Sequence, residues 1–234
     1  MLAFIKSVFN NISDIIYPEC CIICNALLID NEKHLCKNCL ANLPYTQYHN
    51  DVENITEQSF WGRINPYAAT SLLRFYKKGI TQEIIHHIKY KKGKSLGKFM
   101  GCQFAEQLLN SRFASIDYII PVPLHRKKQI SRGYNQVEEI AKGMTGILNA
   151  PILTNILYRV KQSGSQTLRH RFQRYENVKD LYDIKNLNLL DHKHILLLDD
   201  VITTGATIEV CFNLLHKNTS CKISVASLAM AVKS

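Results

Sequence analysis

Thirteen residues near the C-terminal end constrain this chain more than any others: Ile195-Leu196-Leu197-Leu198-Asp199-Asp200-Val201-Ile202-Thr203-Thr204-Gly205-Ala206-Thr207. Four consecutive aliphatic residues suit a strand covered on both faces, the environment of a central strand in a parallel sheet. Two carboxylates, Asp199 and Asp200, stand at its carboxyl end, followed by a turn of hydroxyl residues with one glycine. Ligands of open α/β sheets bind just beyond that end of a strand. Gly205 lets the backbone come close to a ligand. The hydroxyls of Thr203, Thr204 and Thr207, with the unpaired N–H groups at the start of the next helix, are donors for a phosphate. Adjacent acids suit vicinal ribose hydroxyls, with Mg²⁺ nearby.

The remainder supplies a sheet for such a strand. Strands are expected at 68–75, 117–122, 152–160, 182–184, 194–198 and 223–232. Helices are expected at 79–90, 95–110, 135–148 and 207–216. This alternation argues for a parallel α/β sheet. With 234 residues and 46% hydrophobic content, the chain can build one full core and a small appendage. The expected organisation is an amphipathic helix within 1–17, carried by Leu2, Ile5, Phe9, Ile12 and Ile16. A cysteine-rich module at 18–44, a polar linker at 45–66 and the main domain at 67–234 follow.

Five of the eight cysteines fall within twenty residues. Cys21 and Cys24 form one Cys-x-x-Cys pair and Cys36 and Cys39 another, with eleven residues between them. Two such pairs can hold a tetrahedral Zn²⁺, and four thiolates leave no open position, so the site reads as structural. Cys20 is an alternative to Cys21, at the cost of a wider chelate. Free thiols or a redox pair are the other reading. Asn25, just after the first pair, suits a left-handed backbone. No secretory signal and no run of ~18 apolar residues is evident, so a cytoplasmic protein without a transmembrane segment is expected. The net charge of +10 favours a polyanionic partner, whether a phosphorylated ligand, nucleic acid or an anionic surface.

A second anchor is Pro121-Val122-Pro123-Leu124-His125-Arg126-Lys127-Lys128, followed by Arg132-Gly133-Tyr134-Asn135-Gln136. A strand end feeds a basic loop able to hold a pyrophosphate, and a Gly-aromatic-Asn-Gln turn opens a helix. The solvated basic loop is the plain alternative. Further on, Gln166-Thr167-Leu168 precedes Arg169, Arg171, Arg174 and Asn177-Val178.

The Asp-Asp-Val-Ile-Thr-Thr-Gly loop resembles the signature of the type I phosphoribosyltransferases, whose ligand is phosphoribosyl pyrophosphate (PRPP). Together with the second anchor and the cysteine pairs, it resembles the ComF/GntX family of phosphoribosyltransferase-like proteins from about residue 15 onward. The resemblance implies a type I phosphoribosyltransferase fold, a parallel sheet flanked by helices, with a small N-terminal zinc-binding module. It also implies ribose hydroxyls on Asp199 and Asp200, and the 5′-phosphate on the loop Val201, Thr203, Thr204, Gly205, Ala206 and Thr207. Lys89, Arg126, Lys127, Lys128 and Arg132 are the implied pyrophosphate ligands, with Arg132 joining the two acids as a catalytic residue and Mg²⁺ arriving with PRPP.

Two functional readings stand on these residues. One is transfer of the phosphoribosyl group to an acceptor that no motif identifies. The other is a non-catalytic PRPP-regulated module, linked to competence, that contacts single-stranded DNA or DNA-uptake proteins. Basic residues interleave with aromatics at 74–78, 89–92, 132–134 and 171–175, a pattern that suits nucleic-acid backbones and stacked bases.

Overall fold

The computed structural model describes residues 19–29, 31–91, 93–124, 126–160 and 181–232. The expected helix within 1–17, the polar stretch from Gln166 to Val178, and the side chains of Arg126 and Lys127 lie outside what is described.

Strand β5 (His194–Ile202) is flanked by β2 (Tyr118–Pro121) and β6 (Lys222–Ala231), and β1 (Ala69–Phe75) completes the sheet outside β6. All three pairings are parallel. The aliphatic run behaves as its sequence demands. Ile195, Leu196, Leu197 and Leu198 are all fully buried, and they alternate between two cores. Leu196 and Leu198 face a core shared with α3 (Ile80–Tyr90), α4 (Lys94–Leu108) and α6 (Gln136–Leu148). Ile195 and Leu197 face a second core built with α7 (Ala206–Asn218). The strand therefore has helices on both sides, as expected for an α/β sheet. A small antiparallel hairpin, β3 (Leu157–Arg159) with β4 (Tyr182–Ile184), packs on the α7 side. No helix among the described residues is long and apolar enough to cross a membrane.

Several boundaries differ from the sequence expectation. Strand β5 does not end at Leu198 but runs through both acids, with Asp199 in register with Ser227 and Val201 with Ala229. The expected strand at 152–160 shrinks to β3, and Ile152 makes only one bridge, to Ile119. The basic loop after β2 contains a short helix, α5 (Arg126–Arg132).

The segment expected to be a linker, 45–66, is built into the sheet's edge. Thr46 donates its N–H to Leu72 O, and Arg74 donates to Pro44 O. Asn54 caps helix α2 (Ile55–Gln58) and donates through Nδ2 to Ala69 O at 2.9 Å. Phe60 is fully buried in the α7-side core. The cysteine module, which includes helix α1 (Lys37–Ala41), is joined as firmly: Cys21, Leu35, Cys39 and Leu43 belong to the same core as Leu72 and Ile88.

Helices α4 and α6 touch backbone to backbone. A Cβ added at Gly101 would lie 2.0 Å from Ile140 O, and one at Gly143 would lie 2.0 Å from Lys98 O. Neither neighbour can step aside, because both are helix carbonyls. Gly101→Ala or Gly143→Ala should therefore destabilise the protein by about 3 kcal/mol through overpacking. Gly146→Ala, in open space on the same helix, should stabilise it by up to about 1 kcal/mol through helix propensity. Chemical denaturation of the three variants tests this, and equal effects at Gly143 and Gly146 would contradict it.

Candidate functional site

The site lies where the sheet's double-sided burial ends. Gly205 is the N-cap of α7 and adopts a left-handed conformation, φ +76°. A side chain there would be strained, and its Cβ would lie 2.7 Å from Phe60 Cε1, so the loop rests directly on that ring. Arg63 braces the same turn: its Nη1 donates to Thr204 O at 2.9 Å and pairs with Glu209 Oε2 at 3.0 Å. Asp199, Thr203, Thr204, Gly205, Ala206 and Thr207 line a concavity of about 40 Å³ at the helix start, where first-turn N–H groups lack helical acceptors. Tyr182 stands beside this concavity, near Thr207 and Asp199. Burial, followed by the nearby Cys211 thiol, raises its hydroxyl to about 12, so it remains a neutral donor.

The two acids differ in environment. Asp200 Oδ2 accepts from Lys89 Nζ at 2.7 Å and from Gln136 Nε2 at 2.9 Å. Gln136 Oε1 in turn accepts from Arg132 Nη1 at 2.8 Å, and the Arg132 guanidinium lies 5.0 Å from the Tyr90 ring centre. Asp200 is thus a charged acceptor already neutralised by a lysine. Asp199 is pushed up to about 8, chiefly by desolvation and then by the Asp200 charge. A carboxylate paired with a lysine beside one pushed towards its protonated form matches the mixed donor and acceptor needs of vicinal hydroxyls. It is a poor donor set for a bare divalent cation, so Mg²⁺ fits here only as a companion of a ligand's own phosphates.

The Arg-Gly-Tyr-Asn-Gln segment is the device that aims Gln136. Tyr134 donates its hydroxyl to Ile88 O on α3, one residue before Lys89. Asn135 caps α6 through Val137 N at 3.1 Å and ties to Val122 O beyond β2. Residues from α3 and α6 thereby converge on one carboxylate of β5. Of the expected pyrophosphate ligands, Lys89 is brought to Asp200 and Arg132 to Gln136 behind it, whereas Lys128 sits exposed on α5.

No family model matches the chain. Competence protein F of Haemophilus influenzae is 37% identical over 114 residues, which is 48% of this chain and 50% of that protein. DNA utilization protein YhgH of Escherichia coli O157:H7 is 23% identical over 146 residues, 61% of this chain and 63% of that protein. Competence protein ComFC of Bacillus subtilis is 28% identical over 111 residues, 47% of this chain and 43% of that protein. Over these stretches the chain is similar to competence proteins F and ComFC. It spans from 43% to 63% of the length of these curated relatives. Among solved structures, an allosteric regulatory enzyme of purine biosynthesis covers 62% of this chain at 15% identity, with 30% of that structure matched and a TM-score of 0.44. A score that low adds nothing to the fold argument, which rests on the sheet order.

The cysteine pairs form one cluster. The sulfurs of Cys21, Cys24, Cys36 and Cys39 all lie within 4.8 Å of one another, and Cys24 Sγ and Cys36 Sγ are 3.7 Å apart. Zn–S bonds of about 2.3 Å in a tetrahedron separate sulfurs by about 3.8 Å, so the cluster could hold a structural zinc ion. Asn25 has φ +57° as expected, and its N–H returns to Cys21 O at 2.9 Å. Cys36 caps α1 by accepting from Cys39 N. Cys20 stands outside the cluster, its backbone bridged to Leu27.

Phe60, Arg63, Glu209 and Tyr182 were not anticipated as site residues. The first two are masked by polar neighbours, and their only signal is an aromatic pair, Phe60-Trp61, inside an otherwise hydrophilic stretch. Phe60 turns inward, while Trp61 is 60% exposed.

Two outcomes are expected. Purified protein should carry one zinc per chain, retained by Cys20→Ser and lost by Cys21→Ser with a lower Tm; metal analysis and thermal melts decide between the two cysteines. For Asp199, a raised folded pKa means that its contribution to stability is complete below the ordinary value of 3.8 and is lost as pH rises through about 8. Asp199→Asn, which cannot ionise, should therefore gain Tm relative to the parent as pH rises from about 5 to about 8, with no further gain above that. A constant difference over that range would mean that Asp199 is ionised throughout.

Proposed function

We propose that this chain binds PRPP at the carboxyl end of β5 and transfers its phosphoribosyl group. The observation that carries this reading is the joint placement of the Asp199–Asp200 pair and the Gly205-capped helix start, with Lys89 and Gln136 on Asp200 and Arg132 behind Gln136.

In this reading the 5′-phosphate occupies the concavity of Thr203, Thr204, Gly205, Ala206 and Thr207. The ribose hydroxyls lie on Asp199 and Asp200, Asp199 donating its proton and Asp200 accepting. Lys89 holds Asp200 in place and shares the charge of the leaving group. Arg132 and the basic residues of α5, namely Arg126, Lys127 and Lys128, provide the cationic side on which pyrophosphate departs. Mg²⁺ arriving with PRPP would supply further charge neutralisation for the departing pyrophosphate. The protein's own work is positioning and electrostatic stabilisation.

A second reading draws on the relatives named for competence and DNA utilization. Tyr76 and Tyr90 are 49% and 63% exposed beside Lys77, Lys78 and Lys91, a combination suited to stacked bases and a phosphate backbone. Such binding would fall steeply with salt and would be indifferent to Asp200→Asn.

Calorimetric titration with PRPP and Mg²⁺ tests the main reading. Wild type should bind, and the Asp199→Asn/Asp200→Asn double variant should not. A folded, zinc-loaded wild type that fails to bind PRPP would overturn it.

A further inference from the structure

A cleft of about 700 Å³ opens beside the PRPP loop, and it shares Asp200, Val201 and Thr203 with the site. Its volume is that of a small-molecule pocket. Phe75, Ile85 and Val201 line it with apolar surface, and the rings of Tyr90 and His86 flank it with centroids 5.0 Å apart. Tyr90 is fixed from its other side by Arg132, whose Nη2 donates to the Tyr90 hydroxyl at 3.3 Å. Flat apolar and aromatic walls suit a planar ring.

The cleft's charge is one-sided. Lys77, Lys78 and Lys89 line it against a single acid, Asp200, and Asp200 is already paired with Lys89. Lys77 and Lys78 have no ion-pair partner among the described residues. Lys78 sits in a left-handed conformation, φ +60°, and its N–H is held by Gln82 Oε1 at 2.7 Å, so the turn carrying both cations is fixed to α3. Unpaired cations over an apolar floor call for an anionic ligand.

We infer that this cleft is the acceptor site, and that it takes a planar heteroaromatic ring bearing a carboxylate. The inference rests on the PRPP reading of the adjacent loop. The ring packs against the wall formed by Tyr90 and His86, with Phe75 also lining the cleft, and the carboxylate meets Lys77 and Lys78. A ring nitrogen's lone pair forms the bond to ribose C1 while the C1–oxygen bond breaks, its electron pair leaving with pyrophosphate. Where that nitrogen carries a proton, the exposed His86 at the rim receives it.

Nicotinate and nicotinamide share a ring and differ in charge, which makes them suitable probes. Saturation-transfer NMR and calorimetry on the full, zinc-loaded chain with PRPP and Mg²⁺ should show nicotinate binding at least about tenfold more tightly than nicotinamide. Lys77→Gln/Lys78→Gln should abolish that preference. Gln82→Trp, an exposed substitution projecting into the cleft, should block both probes. PRPP affinity, measured on the same samples, should change by less than about threefold, which separates failure here from failure of the PRPP reading. Equal binding of the two probes, no binding of either to PRPP-loaded protein, or a preference that survives loss of both lysines would overturn the inference. So would displacement of nicotinate by oligothymidylate, which would assign the lysines to nucleic acid instead.

Discussion

Burial of β5 on both faces is the constraint on which the rest depends. Each aliphatic side chain from Ile195 to Leu198 is packed into one of two helix-backed cores, so the strand has no freedom to shift by one residue. That fixes where the backbone emerges and hence where Asp199 and Asp200 stand. Two acids at an exposed turn would be solvated and interchangeable. Held in a paired strand, with Asp199 in register against Ser227, they become inequivalent, one paired with Lys89 and the other pushed towards its protonated form.

The polar counterpart of that burial is the Asp200 carboxylate. Lys89 comes from α3 and Gln136 from α6, and the two helices are themselves linked by the Tyr134 hydroxyl on Ile88 O. The Arg-Gly-Tyr-Asn-Gln motif thus acts mainly through geometry. Arg132 orients Gln136, Tyr134 locks α3, and Asn135 starts α6 while holding the exit of β2. Two side chains 47 positions apart in sequence meet at one carboxylate oxygen.

The elements carrying strong periodicity were legible in the sequence, as were the cysteine pairs and the loop. Four clustered sulfurs, a left-handed Asn25 and a helix beginning beside Gly205 follow from spacing and residue type alone. What was hidden had tertiary causes. Aspartates disfavour strands, so β5 seemed to stop at Leu198; its pairing with β6 carries it on to Ile202. The 45–66 segment lacks hydrophobic rhythm because it follows the sheet edge through single anchors, Thr46, Asn54 and Phe60, rather than along a face. The cleft beside Asp200 draws on β1, the turn after it, α3 and β5, and no local pattern joins those residues.

The contact between Gly205 and Phe60 bears on how such a protein can be cut or recombined. A shortened chain starting at Ala68 would keep the four-stranded sheet, the helices packed on it and every residue from Asp199 to Thr207. It would nevertheless lose the ring on which the loop rests and the guanidinium that clasps Thr204. The part of the chain that looks dispensable in sequence is therefore the foundation of its most recognisable motif. The cysteine module packs on the opposite core from that ring, so its removal would leave the foundation itself in place.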